Sequence, residues 1–180
     1  MMRTNTEIEY KTLISEEQFT RLLTYFQIDT TVEQTNTYFD TADHKLKAMK
    51  VACRIRVNDM IIEATVKEHT EAGILEYNHT LEKFDPSVFK SGEFKALFAR
   101  LTVDEPLIEV GKAITLRHLV YEKTGELCFD RTTFKDHIDY ELEYEVMGDP
   151  EVGFKRFMDI LALENIRYVP SISKMQRATA

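Results

Sequence analysis

The stretch DYELEYEV, residues 139–146, alternates strictly between acidic and apolar side chains. Because successive side chains of a β-strand point to opposite faces of a sheet, the acidic residues share one face and the apolar residues the other. Like charges two residues apart repel one another unless charge of the opposite sign lies between them. The stretch therefore predicts a strand with one apolar face and one concentrated wall of negative charge.

Three further segments show the same alternation: EIEYK at 7–11, CRIRV at 53–57 and IIEATVK at 61–67. Their second faces carry Glu7, Glu9 and Lys11, then Arg54 and Arg56, and then Glu63, Thr65 and Lys67. An amphipathic sheet with a solvated charged face is the ordinary interpretation of such a pattern. Here, however, like charges are gathered on separate strands, with Arg54, Arg56, Lys67 and Arg117 on some and Glu141, Glu143 and Glu145 on another. This segregation favours a binding surface with an acidic wall and a basic wall.

Strand-like segments recur along the whole chain, mostly in adjacent pairs joined by short turns. They cover Thr6–Leu13, Gln34–Asp40, Val51–Val57, Met60–Lys67, Leu75–Lys83, Ala113–Glu122, Glu126–Thr133 and Ile138–Met147. Three helical stretches interrupt them. The first is capped by Ser15 with Gln18, the second runs from about Pro86 to Leu101, and the third begins near Pro150.

These helices need an apolar surface to cover, and the only apolar sheet faces available are those opposite the charges. Closing the sheet with its apolar face outward places the charged side chains in the lumen. The sequence therefore predicts one α+β domain over residues 1–180, an eight-stranded antiparallel β-barrel with helices packed on the outside.

Composition narrows the class of protein. The net charge of −8 argues against general affinity for nucleic acid. No apolar run approaches the roughly 20 residues that cross a bilayer, and the opening residues MMRTNTE lack the apolar core of a secretory signal. Cys53 and Cys128 lie in strand-like segments, so we expect two buried, reduced thiols. A cytoplasmic protein that contacts neither membrane nor nucleic acid is predicted.

A lumen with an acidic and a basic wall suits one class of ligand. Carboxylates hold Mg²⁺ or Mn²⁺, which prefer oxygen ligands, while arginine and lysine bind the phosphate oxygens that the same ion contacts. The five histidines show no metal-ligand spacing, and no Walker loop is present. The walls therefore predict a site for a compact polyanion such as a triphosphate, together with divalent metal.

At this point the chain resembles the CYTH domain, also called the triphosphate tunnel metalloenzyme family, and within it the single-domain bacterial proteins. The family's ExExK signature matches EIEYK, and further elements follow in the family order over nearly the whole chain. They are YFDT at Tyr38–Thr41, Arg54 with Arg56, Thr65 with Lys67, Glu76, Arg117, Asp130 with Arg131, Glu141 with Glu143, and Ser173 with Lys174.

The resemblance implies a role for each matching position. Metal ligands would be Glu7, Glu9, Asp130, Glu141 and Glu143, and triphosphate would be bound by Lys11, Arg54, Arg56, Lys67, Arg117 and Lys174. Residues implied in catalysis are Glu7, Glu9, Lys11, Arg56 and Lys67. Structural roles are expected for Tyr38 and Asp40, whereas the roles of Glu76 and Glu145 stay open.

One departure from the family pattern precedes Glu76. Many relatives carry a basic residue there, and this chain has Ile74 and Leu75 instead. A phosphate contact is therefore expected to be missing.

The first functional hypothesis is a metal-dependent triphosphatase acting on inorganic tripolyphosphate. The resemblance leaves two alternatives, a class IV-type adenylate cyclase that makes cyclic AMP and pyrophosphate, and a non-catalytic module that binds polyphosphate or a nucleotide. Retention of both acidic pairs favours chemistry, because anion binding alone needs only the basic wall. The sequence does not determine the oligomeric state, and a homodimer is one alternative.

Overall fold

The structure, a computed structural model, describes all 180 residues. Its strands are β1 (Arg3–Glu7), β2 (Glu9–Ile14), β3 (Thr30–Asp40), β4 (Val51–Val57), β5 (Ile62–Thr70), β6 (Gly73–Leu81), β7 (Ile108–Glu122), β8 (Gly125–Thr133) and β9 (Ile138–Val146). Its helices are α1 (Glu16–Leu23), α2 (Lys45–Ala48), a 3₁₀ turn (Pro86–Lys90), α3 (Gly92–Arg100), α4 (Pro150–Ala162) and α5 (Lys174–Ala178).

All nine strands form one sheet in the order β1-β6-β5-β4-β3-β7-β8-β9-β2. Every pairing is antiparallel. The two edge strands, β1 and β2, are consecutive in the chain and meet at Ile8, whose carbonyl accepts a hydrogen bond from the Val146 amide at 2.8 Å. The sheet therefore curls on itself into a tunnel, as predicted.

The strand count differs from the predicted eight for a local reason. The segment predicted as one strand, Thr6–Leu13, is broken at Ile8. Its first half pairs with β6 and its second half with β9. The same chain segment thus serves both edges of the sheet, and the break lets it change partner.

Two apolar clusters lie outside the tunnel, under the helices. Phe94, Leu97 and Phe98 of α3 pack with Ile55 and Val66 of the sheet. A second cluster joins α1 and α4 to the far side of the sheet through Phe19, Leu22, Phe157, Ile160, Leu161, Leu127 and Leu142. Each side chain of this size contributes about 1.5–3 kcal/mol when fully buried. The apolar faces are therefore outward, as the alternation predicted.

The helices follow the predicted positions with two additions. The capping box of Ser15 and Gln18 is present at α1, and α4 begins at Pro150. The predicted second zone divides into the 3₁₀ turn and α3, separated at Ser91. Sequence analysis missed α2 and α5 because helices of four and five residues show no periodic pattern.

Both cysteines are buried and unpaired, as predicted. None of the helices combines the length and apolar character needed to cross a membrane.

Asp40 has the structural role predicted for it, at the end of β3. Its carboxylate is fully buried and accepts hydrogen bonds from the backbone amides of Thr41 at 2.7 Å, Leu46 at 2.9 Å and Lys47 at 3.1 Å. These amides belong to the chain that enters α2. Asp40 therefore fixes α2, and the residues that follow it, against the sheet.

Replacing Asp40 by alanine is expected to lower the free energy of unfolding. A single hydrogen bond to a charged group contributes roughly 1.5–3 kcal/mol. Three buried amide contacts are lost together, so the effect should lie at or above the upper end of that range. Urea denaturation measures it. The matched variant Asp59→Ala, in an exposed turn, should stay within about 0.5 kcal/mol of the parent. Equal effects for the two variants would contradict the anchoring role.

Candidate functional site

The curled sheet encloses a cavity of about 520 Å³, which we call the tunnel cavity. Its volume lies within the range of small-molecule binding pockets. Of its 23 lining residues only five are hydrophobic. Such a lumen does not suit a lipid or another apolar cargo.

Most of the predicted site residues meet in the tunnel cavity. Those that line it are Glu7, Glu9, Lys11, Arg54, Arg56, Lys67, Arg117, Glu143 and Lys174. Glu76 and Glu145, whose roles the sequence left open, line it as well. Two predicted metal ligands, Asp130 and Glu141, do not line the cavity, are fully buried and lie behind its wall.

Lys67 on β5 joins two acidic residues at the β1–β6 side of the cavity. Its ammonium group lies 2.7 Å from Glu7 and 2.6 Å from Glu76. Burial raises the pKa of Glu7 to about 8 against the charge of Lys67. Burial would raise the pKa of Glu76 as well, but Lys67 holds it well below its ordinary value. Near neutral pH the two carboxyl groups therefore share about one proton.

Arg117 on β7 organises the opposite side. Its guanidinium group donates to both carboxylate oxygens of Asp130, at 2.7 and 2.6 Å, and to Glu143 at 2.6 Å. Such a two-point contact fixes the plane of the guanidinium group. Burial alone would raise the pKa of Asp130 and Glu143, but Arg117 and Lys174 hold both below their ordinary values. Both residues are therefore ionised.

Lys174, the first residue of α5, brings the C-terminal segment into this network. Its ammonium group lies 2.8 Å from Asp130 and 2.5 Å from Glu141, and it also contacts Glu143. Glu141 accepts two further hydrogen bonds, from Ser171 at 2.5 Å and Arg177 at 2.7 Å. Three carboxylates thus surround one cation.

Arg54 and Arg56 differ from these cations because neither forms an ion pair. The Nε of Arg56 donates to the side-chain oxygen of Asn36 at 2.9 Å, which carries no charge. Burial, together with the charges of Arg54 and Arg117, lowers the pKa of Arg56 to about 9. The two arginines therefore form a concentrated positive wall without a counterion, which is the electrostatic condition for binding an anion.

Sequence analysis missed two polar residues on β3, Gln34 and Asn36. Both are buried, and the side-chain nitrogen of each has no acceptor within the protein. Their signal was the polar alternation in TTVEQTNTYFD, residues 30–40, where they share a face with Tyr38. Because these side chains are uncharged, their alternation predicts a strand but does not indicate a binding surface.

The acidic residues fit a divalent cation. Asp130, Glu141 and Glu143 each place an oxygen within 4.8 Å of the others, and carboxylate oxygen is the ligand type of Mg²⁺ and Mn²⁺. The ammonium group of Lys174 already lies among them and marks the position as attractive to cations. On the cavity side, Glu9 lies close enough to Glu143 for the two charges to repel.

Comparison with known proteins agrees with this geometry. The protein described as "Putative triphosphatase YjbK", from Bacillus subtilis (strain 168), is 29% identical over 161 residues, which cover 86% of this chain and 84% of that protein. The crystal structure of "a putative adenylate cyclase" from Bacillus halodurans has a TM-score of 0.86 at 33% identity and covers 97% of both chains.

A Hippeastrum protein, described as a "putative adenylyl cyclase" that "reveals a dominant triphophatase activity", shares the fold with a TM-score of 0.66 at 22% identity. That match covers 94% of this chain and 93% of the Hippeastrum chain. A sequence model described as the CYTH domain matches residues 5–179, nearly the full chain. The protein therefore belongs to the CYTH domain family.

Proposed function

We propose that this protein is a divalent-metal-dependent triphosphatase whose substrate is inorganic tripolyphosphate. The observation that carries the proposal is the unpaired wall of Arg54 and Arg56, which lines the same cavity as the carboxylates of Glu7 and Glu9. An anion at this wall and a cation at the carboxylates would neutralise one another. The triphosphatase description of the Bacillus subtilis relative supports the same activity.

In this proposal the basic residues hold the phosphate oxygens. Arg54 and Arg56 offer guanidinium forks that no carboxylate occupies, and Lys11 approaches from β2. Lys67 and Arg117 line the cavity as well, but their charge is shared with buried carboxylates. We therefore assign the strongest phosphate contacts to the two unpaired arginines.

The carboxylates that face the cavity, Glu7, Glu9 and Glu143, would hold Mg²⁺ or Mn²⁺. The bound ion would supply positive charge to the phosphate oxygens and lower the pKa of a coordinated water. Asp130 and Glu141 orient Arg117 and Lys174 from behind the wall and add negative charge to the metal site.

Hydrolysis requires that a water molecule attack the terminal phosphorus while the bond to the bridging oxygen breaks, which releases phosphate and pyrophosphate. Charge then increases on the departing bridging oxygen. Arg56 is held in the wall by Asn36, so it can stabilise this charge with little reorganisation.

The cavity lining favours an inorganic substrate. Tyr38 is the one residue with a phenyl or indole ring in the lining, and it is only 2% exposed. A nucleobase or a thiamine ring therefore finds no open phenyl or indole surface on which to stack within the cavity, and the imidazole of His69 is the only other aromatic ring of the lining. The adenylate cyclase description of the Bacillus halodurans relative keeps ATP as the second candidate substrate.

Phosphate release from tripolyphosphate, ATP and thiamine triphosphate, with Mg²⁺, Mn²⁺ or a chelator, tests the proposal. Glu9→Gln is expected to lower the metal-dependent rate by about 10²-fold or more, because it removes a ligand rather than a supporting contact. The same substitution at the exposed Glu33 on the outside of β3 should leave the rate unchanged.

Each of the other outcomes would contradict a specific part of the proposal. Hydrolysis that persists in chelator would overturn the metal dependence. Cyclic AMP and pyrophosphate from ATP, without phosphate release, would identify a cyclase. Tight tripolyphosphate binding without turnover of any substrate would identify a binding module.

A further inference from the structure

One stretch of chain, residues 47–56, supplies a row of cations to the tunnel cavity. Lys47, Lys50, Arg54 and Arg56 all line it, and none forms an ion pair. The other lysines and arginines of the lining are each paired with a carboxylate: Lys11 with Glu9, Lys67 with Glu7 and Glu76, Arg117 with Asp130 and Glu143, and Lys174 with Asp130, Glu141 and Glu143. The free positive charge of the cavity is thus concentrated in this stretch.

Lys50 extends the row of arginines toward one mouth of the cavity. Lumen-facing positions of a strand recur every two residues, and a strand rises about 3.3 Å per residue. β4 begins at Val51, three residues before Arg54, so Lys50 precedes the strand and lies about 10 Å or more farther along the wall. Its carbonyl accepts the amide of His69 at 3.5 Å, which fixes it beside the end of β5.

The two mouths of the cavity differ in their free charge. Glu63 and His69 both line the cavity from β5, and these two positions, six residues apart, span about 20 Å. At the Glu63 end the carboxylate is paired with Arg3 at 2.6 Å, whereas the His69 end carries the unpaired Lys47 and Lys50. Burial and the charges of Lys11 and Lys50 lower the pKa of His69, so its ring is neutral near pH 7 and can donate a hydrogen bond. An anion longer than the arginine wall should therefore extend toward Lys50.

The backbone at Lys50 is strained. Its φ of 57° lies in the left-handed region, which favours glycine and costs other residues about 1–2 kcal/mol, and His44, Thr102 and Asn165 share this conformation. Lys47 is held nearby because Asp40 accepts its backbone amide.

We propose that Lys47 and Lys50 form a subsite for the phosphate groups that follow the third in a linear inorganic polyphosphate. Besides its substrate tripolyphosphate, the tunnel then binds linear chains of four or more phosphates, and it binds these longer chains more tightly. This inference rests on the proposed function, because Arg54 and Arg56 are taken to hold the first phosphates.

Isothermal titration calorimetry without added metal tests the subsite independently of turnover. The parent protein is expected to bind a linear polyphosphate of about ten phosphates at least tenfold more tightly than tripolyphosphate. In the double variant Lys47→Gln/Lys50→Gly that preference should fall about tenfold, chiefly through weaker binding of the long chain.

A matched control separates charge from backbone strain. Thr102 also has a left-handed backbone, with a φ of 58°, and lies outside the cavity lining. Lys50→Gly and Thr102→Gly should both raise the melting temperature, but Thr102→Gly should leave the preference for long chains unchanged.

Two results would overturn the subsite. One is equal affinity of the parent protein for both ligands, and the other is an equal loss of both in the double variant, which would indicate general attraction of anions. If the chain-length preference is present but no substrate is hydrolysed, the proposed function fails while the subsite stands.

Discussion

Replacing Arg56 by alanine is expected to lower kcat/KM for tripolyphosphate by about 10²–10³-fold, the usual effect of removing one preorganised donor from a charge-stabilising site. Arg56 is one of two cavity arginines without a carboxylate partner, and only its Nε is engaged, by Asn36, so its two terminal amino groups are free for phosphate. Arg56→Lys keeps the charge but loses the planar fork, and it should fall between the parent and the alanine variant.

The same substitution should leave the ligand-free fold intact or make it more stable. Arg54 and Arg117 repel Arg56 in the buried wall, and this repulsion is what lowers its pKa together with burial. Thermal unfolding without ligand measures the stability, and steady-state kinetics measure the activity. Arg100→Ala serves as the control, because Arg100 is 54% exposed and pairs with Glu68 on the outside. Full activity of Arg56→Ala would contradict the role of the arginine wall in the proposed mechanism.

Alternation along single strands predicted much of the fold and many of the site residues. A period of two assigns side chains to faces whatever the strand's partners are, so the walls built from Arg54, Arg56, Glu9 and Glu143 follow from the local sequence. The apolar faces under α3 and α4 follow from the same rule. These features needed no knowledge of how distant strands pair.

Alternation could not predict whether a side chain lines the cavity or is buried behind its wall. Glu141 and Glu143 share a strand face, yet Glu143 lines the cavity while Glu141 is fully buried behind it. The difference arises from Ser171 and Arg177, which lie 30 or more residues away in sequence and contact Glu141 only through the folded chain. Alternation identifies a face but not what covers it.

The break at Ile8 was also beyond local reasoning. The alternation in EIEYK predicts one continuous strand, and nothing in these five residues indicates that the strand changes its pairing partner. The change is imposed by closure, since the start of β6 and the end of β9 meet the same stretch of chain from opposite sides. A feature of this kind depends on the curl of the whole sheet.

Lys174→Met should lower the free energy of unfolding by about 3–5 kcal/mol, as expected when one partner leaves a buried ionic network. The ammonium group lies among three carboxylates, and Asp130 and Glu141 are both fully buried. Without it, only Arg117 and Arg177 oppose their charge. Urea denaturation of both proteins in chelator measures the difference.

Lys45→Met provides the matched control, because Lys45 pairs with Glu105 at the surface and the two side chains are 39% and 41% exposed. That substitution should cost no more than about 1 kcal/mol.

If the three carboxylates form a cation site, Mn²⁺ should raise the melting temperature of Lys174→Met more than that of the parent protein, because the ion no longer competes with the ammonium group. A loss of less than 1 kcal/mol, about the size of a surface pair, would show that the carboxylates do not depend on Lys174 for their charge balance.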